Sequence, residues 1–193
     1  MPFREPPTSA AWQHVDARCG FEVVIVHPGE RGYRLEGTTT AVEADEAWAV
    51  GYAIVVDERW QTVTAEVSGR SADGARDLVM RTDGRGRWQV DGRHLPELDG
   101  CMDVDLESSA FTNALPVHRL RLAVGDEAAA PAAYVRAADL GVERLEQRYR
   151  RLADSSGRQR YHYSAPGFGF ECELVYDASG LVLDYPGIAT RAT

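Results

Sequence analysis

The sequence predicts a mainly β protein built as an antiparallel meander, and three observations carry that expectation. Short apolar or alternating runs recur along the chain, turn residues punctuate them at strand-length spacing, and only two stretches have helical features. The turn pieces Ala72-Asp73-Gly74, Asp83-Gly84-Arg85-Gly86 and Asp91-Gly92 set the spacing in the first half. Asp-Gly supplies the positive φ that tight hairpin turns need. Parallel βαβ units would instead place a helix between successive strands.

The elements follow in chain order. Residues 21–26 (FEVVIV) form an apolar run of strand length. Within it Glu22 shares a face with Val24 and Val26, so its carboxylate either faces water or turns inward to a donor, for which an Arg is the expected partner. Residues 52–57 (YAIVVD) alternate, and 61–67 (QTVTAEV) resume after the Asp57-Glu58-Arg59 break. Residues 76–81 and 87–90 fill the gaps between the Asp-Gly turns. Residues 108–115 (SSAFTNAL) begin with Ser residues suited to cap a helix and stop at Pro116, so a two-turn helix is expected there. A strand should follow it, with Leu120 and Leu122 on one face and Arg119 and Arg121 on the other. Residues 128–133 (AAAPAA) read as a plain connector. Residues 140–152 fit two patterns: Leu145, Tyr149 and Leu152 have helical spacing, whereas Gln147, Tyr149 and Arg151 alternate as in a strand. Strands at 160–164, 169–177 and 181–185 complete the chain. Trp60, Trp88, Tyr149, Tyr161, Tyr163 and Tyr185 are expected in strands, where most such rings pack the core and a minority line lipid or sugar pockets. Residues 52–67 and 170–186 share an order of aromatic, alternating run, Asp, turn and strand, a loose hint of internal duplication within one domain spanning 1–193.

Composition narrows the function. The 193 residues are 44% hydrophobic and 26% charged, the profile of one globular domain with a core. Thirty acidic against 21 basic residues leave a net charge of -9, which argues against nucleic acid or an anionic membrane surface as main partner. Every basic residue other than His is Arg, so chemistry that needs a Lys, such as Schiff bases or P-loop phosphate binding, is excluded. The opening MPFREPPTSAAW lacks the pattern of a signal peptide, and no apolar run is long enough for a transmembrane helix. Cys19, Cys101 and Cys172 include no CxxC pair and read as buried reduced thiols of a cytoplasmic protein.

No nucleophile elbow, no HExxH motif, no P-loop and no His or Cys pair at metal-ligand spacing is present, so neither cofactor nor metal is expected. Gly167-Phe168-Gly169 lacks the third Gly of a nucleotide loop. The densest polar stretch is 101–122 (CMDVDLESSAFTNALPVHRLRL). As a strand it points Met102, Val104 and Leu106 one way and Asp103 and Asp105 the other. Carboxyls two apart on a strand lie roughly 6.5–7 Å apart. That permits an acid/base pair, but two acids facing Arg119 and Arg121 on a neighbouring strand would equally neutralise each other. Thr112 and Asn113 close the helical stretch, where they either satisfy backbone groups or offer an amide to a sugar hydroxyl.

The chain resembles the bacterial family named putative glycolipid-binding proteins, whose fold is the spiral β-roll. The resemblance is carried by Gly20-Phe21-Glu22, residues 52–62, Trp88-Gln89-Val90-Asp91-Gly92, residues 100–122, Gln147-Arg148-Tyr149 with Arg151, and residues 174–186. Its most specific stretch runs from Asp103-Val104-Asp105 through Thr112-Asn113-Ala114-Leu115-Pro116 to Arg119-Leu120. It implies a long, many-stranded antiparallel sheet wrapped around a single short α-helix, a homodimer, and a role in binding glycolipids. The family helix falls at residues 108–115, with Thr112 and Asn113 inside the roll. Ala110 stands where a Pro is usual, and His118 replaces the first of two successive Arg, leaving Arg119 as the carrier of any role in the family pattern.

Three functions follow as expectations. In a binding protein, an apolar trough takes acyl chains, each buried methylene contributing about 0.8 kcal/mol, and Glu22, Asp103, Asp105, Asn113, Arg119, Gln147, Tyr149 and Arg151 form the head-group site. In a structural or assembly protein, the same polar set only stabilises the roll. In an enzyme acting on a glycoside or ester, Asp103 or Asp105 serves as acid or base, which a nearby Arg opposes by lowering its pKa.

Overall fold

A computed structural model describes residues 3–192. The chain starts with a meander of eight strands: β1 (Ser9–His14), β2 (Cys19–Pro28), β3 (Tyr33–Glu43), β4 (Glu46–Val56), β5 (Thr62–Ser71), β6 (Gly74–Thr82), β7 (Trp88–Val90) and β8 (Arg93–His94). It then enters the interior as β9 (Asp103–Leu106), a 3-10 turn (Phe111–Asn113) and helix α1 (Ala114–Leu120). Three short strands follow, β10 (Glu127–Ala129), β11 (Ala132–Val135) and β12 (Val142–Leu145). A second meander closes the molecule: β13 (Arg148–Ser155), β14 (Arg158–Ala165), β15 (Phe170–Tyr176), β16 (Val182–Tyr185) and β17 (Ala189–Arg191).

Fourteen of these strands form one open sheet in the order β10-β13-β14-β15-β16-β17-β1-β2-β3-β4-β5-β6-β7-β8. The two meanders meet where β1 pairs antiparallel with β17, Trp12 opposite Arg191 and His14 opposite Ala189. The indole of Trp12 crosses this seam to donate to the Val182 carbonyl at 2.8 Å. A second sheet of three strands, β12-β11-β9, lies with the helix. Its β9–β11 pair is parallel, unlike the antiparallel pairs of the large sheet, and the crossover between the two strands contains the helix.

The large sheet closes around α1 because its inward face is apolar along nearly every strand. On β4, Trp48, Val50, Tyr52, Ile54 and Val56 are buried in strict alternation, and on β14 Tyr161, Tyr163 and Ala165 do the same. Ala114, Leu115 and Val117 of the helix are fully buried against them. A helix covered on all sides needs no polar face, and this one has His118 and Arg119 only in its last turn.

The helix is displaced from its expected position. It begins at Ala114, so Pro116 falls in its first turn, where the missing N–H has no acceptor to lose. The expected strand after Pro116 is therefore helical. Arg119 sits in the last turn, and Arg121 ends the helix in the left-handed region at φ 49°. Residues 140–152 resolve as strand, split between β12 and β13. Trp60 lies in a loop rather than a strand, in a left-handed conformation at φ 63°. Among the thiols only Cys101 is buried; Cys172 is half-buried and Cys19, on the outward face of β2, is exposed.

Trp60 owes its place to the loop after β4. Asp57 accepts the backbone N–H groups of Arg59 and Gln61 at 2.9 Å through Oδ1, and the Trp60 N–H returns to the Asp57 carbonyl at 2.9 Å. The loop after β15 repeats this arrangement at Asp177, with Gly180 in the left-handed position. Asp83 holds Arg85 and Arg87 in the same way, so the pattern belongs to a hairpin loop type and does not by itself mark a repeat. Two of these loops grip the helix end. Trp60 stacks flat on His118 at 3.7 Å between ring centroids, and a Cβ on Gly180 would fall 2.5 Å from His118 Nε2.

Burial pushes the pKa of His118 down to about 4, and that of His14 likewise to about 4, with the Arg18 charge adding to the shift in His14. Unfolded imidazoles titrate near 6.5, so each contributes stability that is present above that value and lost as the pH falls toward the folded one. The melting temperature of His118→Phe, which keeps a ring on Trp60, should therefore fall less than that of the wild type on acidification from about pH 6.5 to about pH 4.5. Parallel pH profiles for the two proteins would refute the assignment.

Candidate functional site

The acid row of β9 runs alongside the helix. Asp103 meets the last turn, where Arg119 grips it bidentately, Nε to Oδ1 at 2.9 Å and Nη2 to Oδ2 at 2.5 Å. Asp105 meets the start: its Oδ1 accepts the Thr112 hydroxyl at 2.8 Å and its Oδ2 accepts the Gln147 amide. The two acids do project together as expected, but one arginine answers the first and neutral donors answer the second. Arg121 takes no part, because the left-handed turn at its Cα carries it back to the His118 carbonyl.

The start of the helical segment is held from two further sides. Asn113 accepts the Tyr149 hydroxyl on its side-chain oxygen at 2.8 Å and the Tyr176 hydroxyl on its carbonyl at 3.1 Å. Glu22 is buried completely and has no arginine partner, contrary to expectation. Its Oε1 accepts the Tyr52 hydroxyl at 2.6 Å and the Ser109 hydroxyl, and its Oε2 accepts the N–H groups of Ala110 at 2.8 Å and Phe111 at 3.4 Å. Those N–H groups are the ones a helical start leaves without an intrahelical acceptor, so the carboxylate replaces a guanidinium with backbone donors. Tyr52 reaches Glu22 by lying across Gly37. Arg151 is not part of this assembly: its guanidinium donates to Asp154 and to the Leu152 and Arg160 carbonyls, over the Tyr161 ring.

Beside the helix start lies a cavity of about 230 Å³. Asp105, Ser109 and Asn113 supply its polar floor, and Tyr134, Tyr163, Tyr185 and Phe170 its walls. Arg18, itself buried, also lines it, and Glu107, Phe168 and Ile188 stand toward the outside. Of the eight residues singled out in the sequence, Asp105 and Asn113 therefore reach the cavity. Glu22, Gln147 and Tyr149 hold the groups that line it, and the Asp103–Arg119 pair fixes the far end of the same strand. Larger hollows elsewhere differ in kind, among them a groove of about 330 Å³ by Arg81, Asp83, Arg87 and His94. A trough of about 600 Å³ crosses the outward face of β2 to β6, and a cleft of about 560 Å³ lies by Trp60, His118 and the segment 3–6. None of them is floored by a buried carboxylate and amide.

Burial pushes the carboxyls of Glu22, Asp103 and Asp105 above the usual carboxylate range, and their donors oppose the push: Ser109 and Tyr52 for Glu22, Arg119 for Asp103, Thr112 and Gln147 for Asp105. Burial lowers the Arg119 guanidinium, but its bonds to Asp103 more than restore it, so it stays charged. The phenols of Tyr163 and Tyr185 are raised by burial and remain neutral donors and acceptors. Among the described residues no cluster of His, Cys, Asp and Glu is arranged to hold a metal ion.

A family model described as "Putative glycolipid-binding" matches residues 9–191. The chain belongs to this family. The match takes in every strand of both sheets of this glycolipid-binding family member. Its fold is similar to the crystal structure of a DUF1089 family protein from Pseudomonas aeruginosa, with 32% sequence identity and a TM-score of 0.78 over 98% of this chain and 95% of that one. A β-barrel-like protein of the DUF1849 family from Brucella abortus aligns at 8% identity and a TM-score of 0.49, over 95% of this chain and 92% of that one. Among curated proteins none matches the chain.

Sequence reasoning missed Arg18, Glu107, Ser109, Tyr134, Phe168 and Phe170 as cavity residues of this glycolipid-binding family member, and did not distinguish Tyr163 and Tyr185 from the rings that pack the core. Ser109 was within reach, since its Ser stood at the predicted helix start. The others come from five separate stretches of chain, and only the roll brings them together.

Two outcomes follow. A Cβ at position 37 would stand 2.2 Å from the Tyr52 ring, so Gly37→Ala should cost about 1–3 kcal/mol in chemical denaturation, as overpacking does; unchanged stability would show that Tyr52 leaves Gly37 freely. Glu22, with its pKa raised, contributes stability that is complete below about 4.5 and is lost as the pH rises through its folded value. Glu22→Gln loses acceptors and should melt lower than wild type, but the deficit should narrow as the pH rises above about 4.5. A deficit that widens toward alkaline pH would contradict a raised Glu22.

Proposed function

We propose that the protein binds an amphipathic small molecule of the glycolipid class, and that the cavity beside the helix start takes its head group. The observation that carries this is the pairing of Asp105 and Asn113 on the floor of an aromatic-walled cavity. A neutral sugar presents hydroxyls that donate to a carboxylate and exchange with an amide, and C–H faces that pack on tyrosine rings. Small-molecule sites commonly combine such apolar walls with a few convergent polar groups. Asp105 and Asn113 contact the head; Gln147, Thr112, Tyr149, Glu22, Asp103 and Arg119 position them; Arg151 holds the β13–β14 hairpin. Asp105 at the floor and Glu107 outnumber Arg18, which is itself paired with Glu43, and so disfavour a phosphate or sulfate head. The family to which the chain belongs supports the same reading.

The test is calorimetric titration with a panel of methyl glycosides, neutral and anionic. The wild type should bind at least one neutral member saturably, and Asp105→Asn, with its fold checked by circular dichroism, should weaken that binding about 10- to 100-fold, the loss expected of a charged hydrogen bond. Arg151→Ala should lower the melting temperature and leave the affinity unchanged. No saturable binding across the panel, together with no lipid released from protein purified from its native host, would remove this reading.

A further inference from the structure

The cavity is too small for a whole glycolipid. Sites that enclose a drug-sized ligand run to about 300–1,000 Å³, and this one offers about 230 Å³. If the head group fills it, the acyl chains must lie outside, and what surrounds the mouth decides where. Two loops bound it. The first, 166–169 (PGFG), joins β14 to β15 and is exposed at every residue. The second, 186–188 (PGI), joins β16 to β17. Neither contains a charged residue, in a chain that is 26% charged. Phe168 is 55% exposed, against 39% for Phe21 on the outward face of β2, and its ring stands edge-on to Tyr134 with 5.3 Å between centroids. The loop that presents it is closed by the Gly169 N–H on the Pro166 carbonyl at 3.0 Å, with Gly169 left-handed. The second loop is tied by the Val15 N–H to the Ile188 carbonyl at 2.9 Å.

We infer that this mouth is a membrane-contact face: Phe168, with the uncharged loops beside it, enters the interfacial layer of a bilayer, so that a lipid head enters the cavity while its chains stay in the membrane. The inference rests on the head-group reading of the cavity. The bilayer it fits has a neutral or zwitterionic surface, because the chain carries -9 net charge and at the cavity Asp105 and Glu107 outnumber Arg18, which Glu43 already pairs. An aromatic ring held at a rim gains from the headgroup boundary what it cannot gain from water. The protein would then read glycolipid heads in place rather than extract the lipid.

The experiment uses vesicles of phosphatidylcholine containing a minor fraction of monogalactosyl diacylglycerol. The four native tryptophans are all at most 8% exposed, so in Phe168→Trp the new indole is the one within reach of lipid. Its fluorescence should be quenched when the phosphatidylcholine carries brominated chains, and Phe168→Trp should sediment with the vesicles as wild type does, whereas Phe168→Ser should bind several-fold less. Absence of quenching, or undiminished sedimentation of Phe168→Ser, would overturn the inference. So would loss of sedimentation in Phe21→Ser instead, which would move the contact to the outward face of β2. A requirement for anionic lipid, reversed by salt, would also overturn it. The head-group reading stands or falls separately, on soluble glycosides and the wild type, where no membrane is present.

Discussion

A helix of seven residues buried inside a protein cannot satisfy its own ends. Four N–H groups at its start and four carbonyls at its finish lack intrahelical partners, and without water they must be met by the surrounding chain. Several polar groups of the interior answer that demand or hold the backbone beside it. Glu22 from β2 receives the first N–H groups, Tyr176 from β15 donates to the Asn113 carbonyl, and the left-handed Arg121 returns its N–H to Val117. Thr39 of β3 reaches the Ser108 carbonyl just before the helical segment. The sheet is wound around the helix by apolar burial, but its register against the helix is set by these few polar bonds.

The cavity is a by-product of the same demand. Holding the helix start requires a carboxylate, an amide and several hydroxyls in one place, and the roll does not fill the space beside them. A site of this kind needs no dedicated loop. Its polar floor is already fixed by packing, with Asp105 anchored from both sides and Asn113 held by two tyrosines, so little ordering is left for a ligand to impose.

Much of the sheet was legible in the sequence because hairpins are local. Alternation, Asp-Gly turns and strand lengths located β2, β4 to β7 and β14 to β16, and the meander rule paired them. What failed was what depends on distant partners. Pro116 was read as a stop because its cost is high in mid-helix, and nothing local says that it sits in the first turn. Residues 140–152 carry both periodicities, and only the neighbouring β14 and β11 decide for strand. Glu22 was recognised as a residue needing a donor, yet the donor was sought among arginines, whereas the backbone N–H groups of residues 110 and 111 supplied it. Asp103, Asp105 and Asn113 were singled out because they fall within eleven residues of one another. The cavity walls were not, since Tyr134, Tyr163, Phe170 and Tyr185 are scattered over fifty.

The seam between β1 and β17 gives the molecule a particular history. Synthesis delivers β1 long before its partner β17, so the joint forms only after all the strands between them have been made. Until then the growing polypeptide carries an unpaired strand edge and an indole, that of Trp12, whose acceptor does not yet exist. Such long-range closure slows folding and leaves a template on which another nascent chain can add a strand. Long exposure of that edge during synthesis, and sensitivity to loss of β17, are built into a roll whose first and last strands are neighbours.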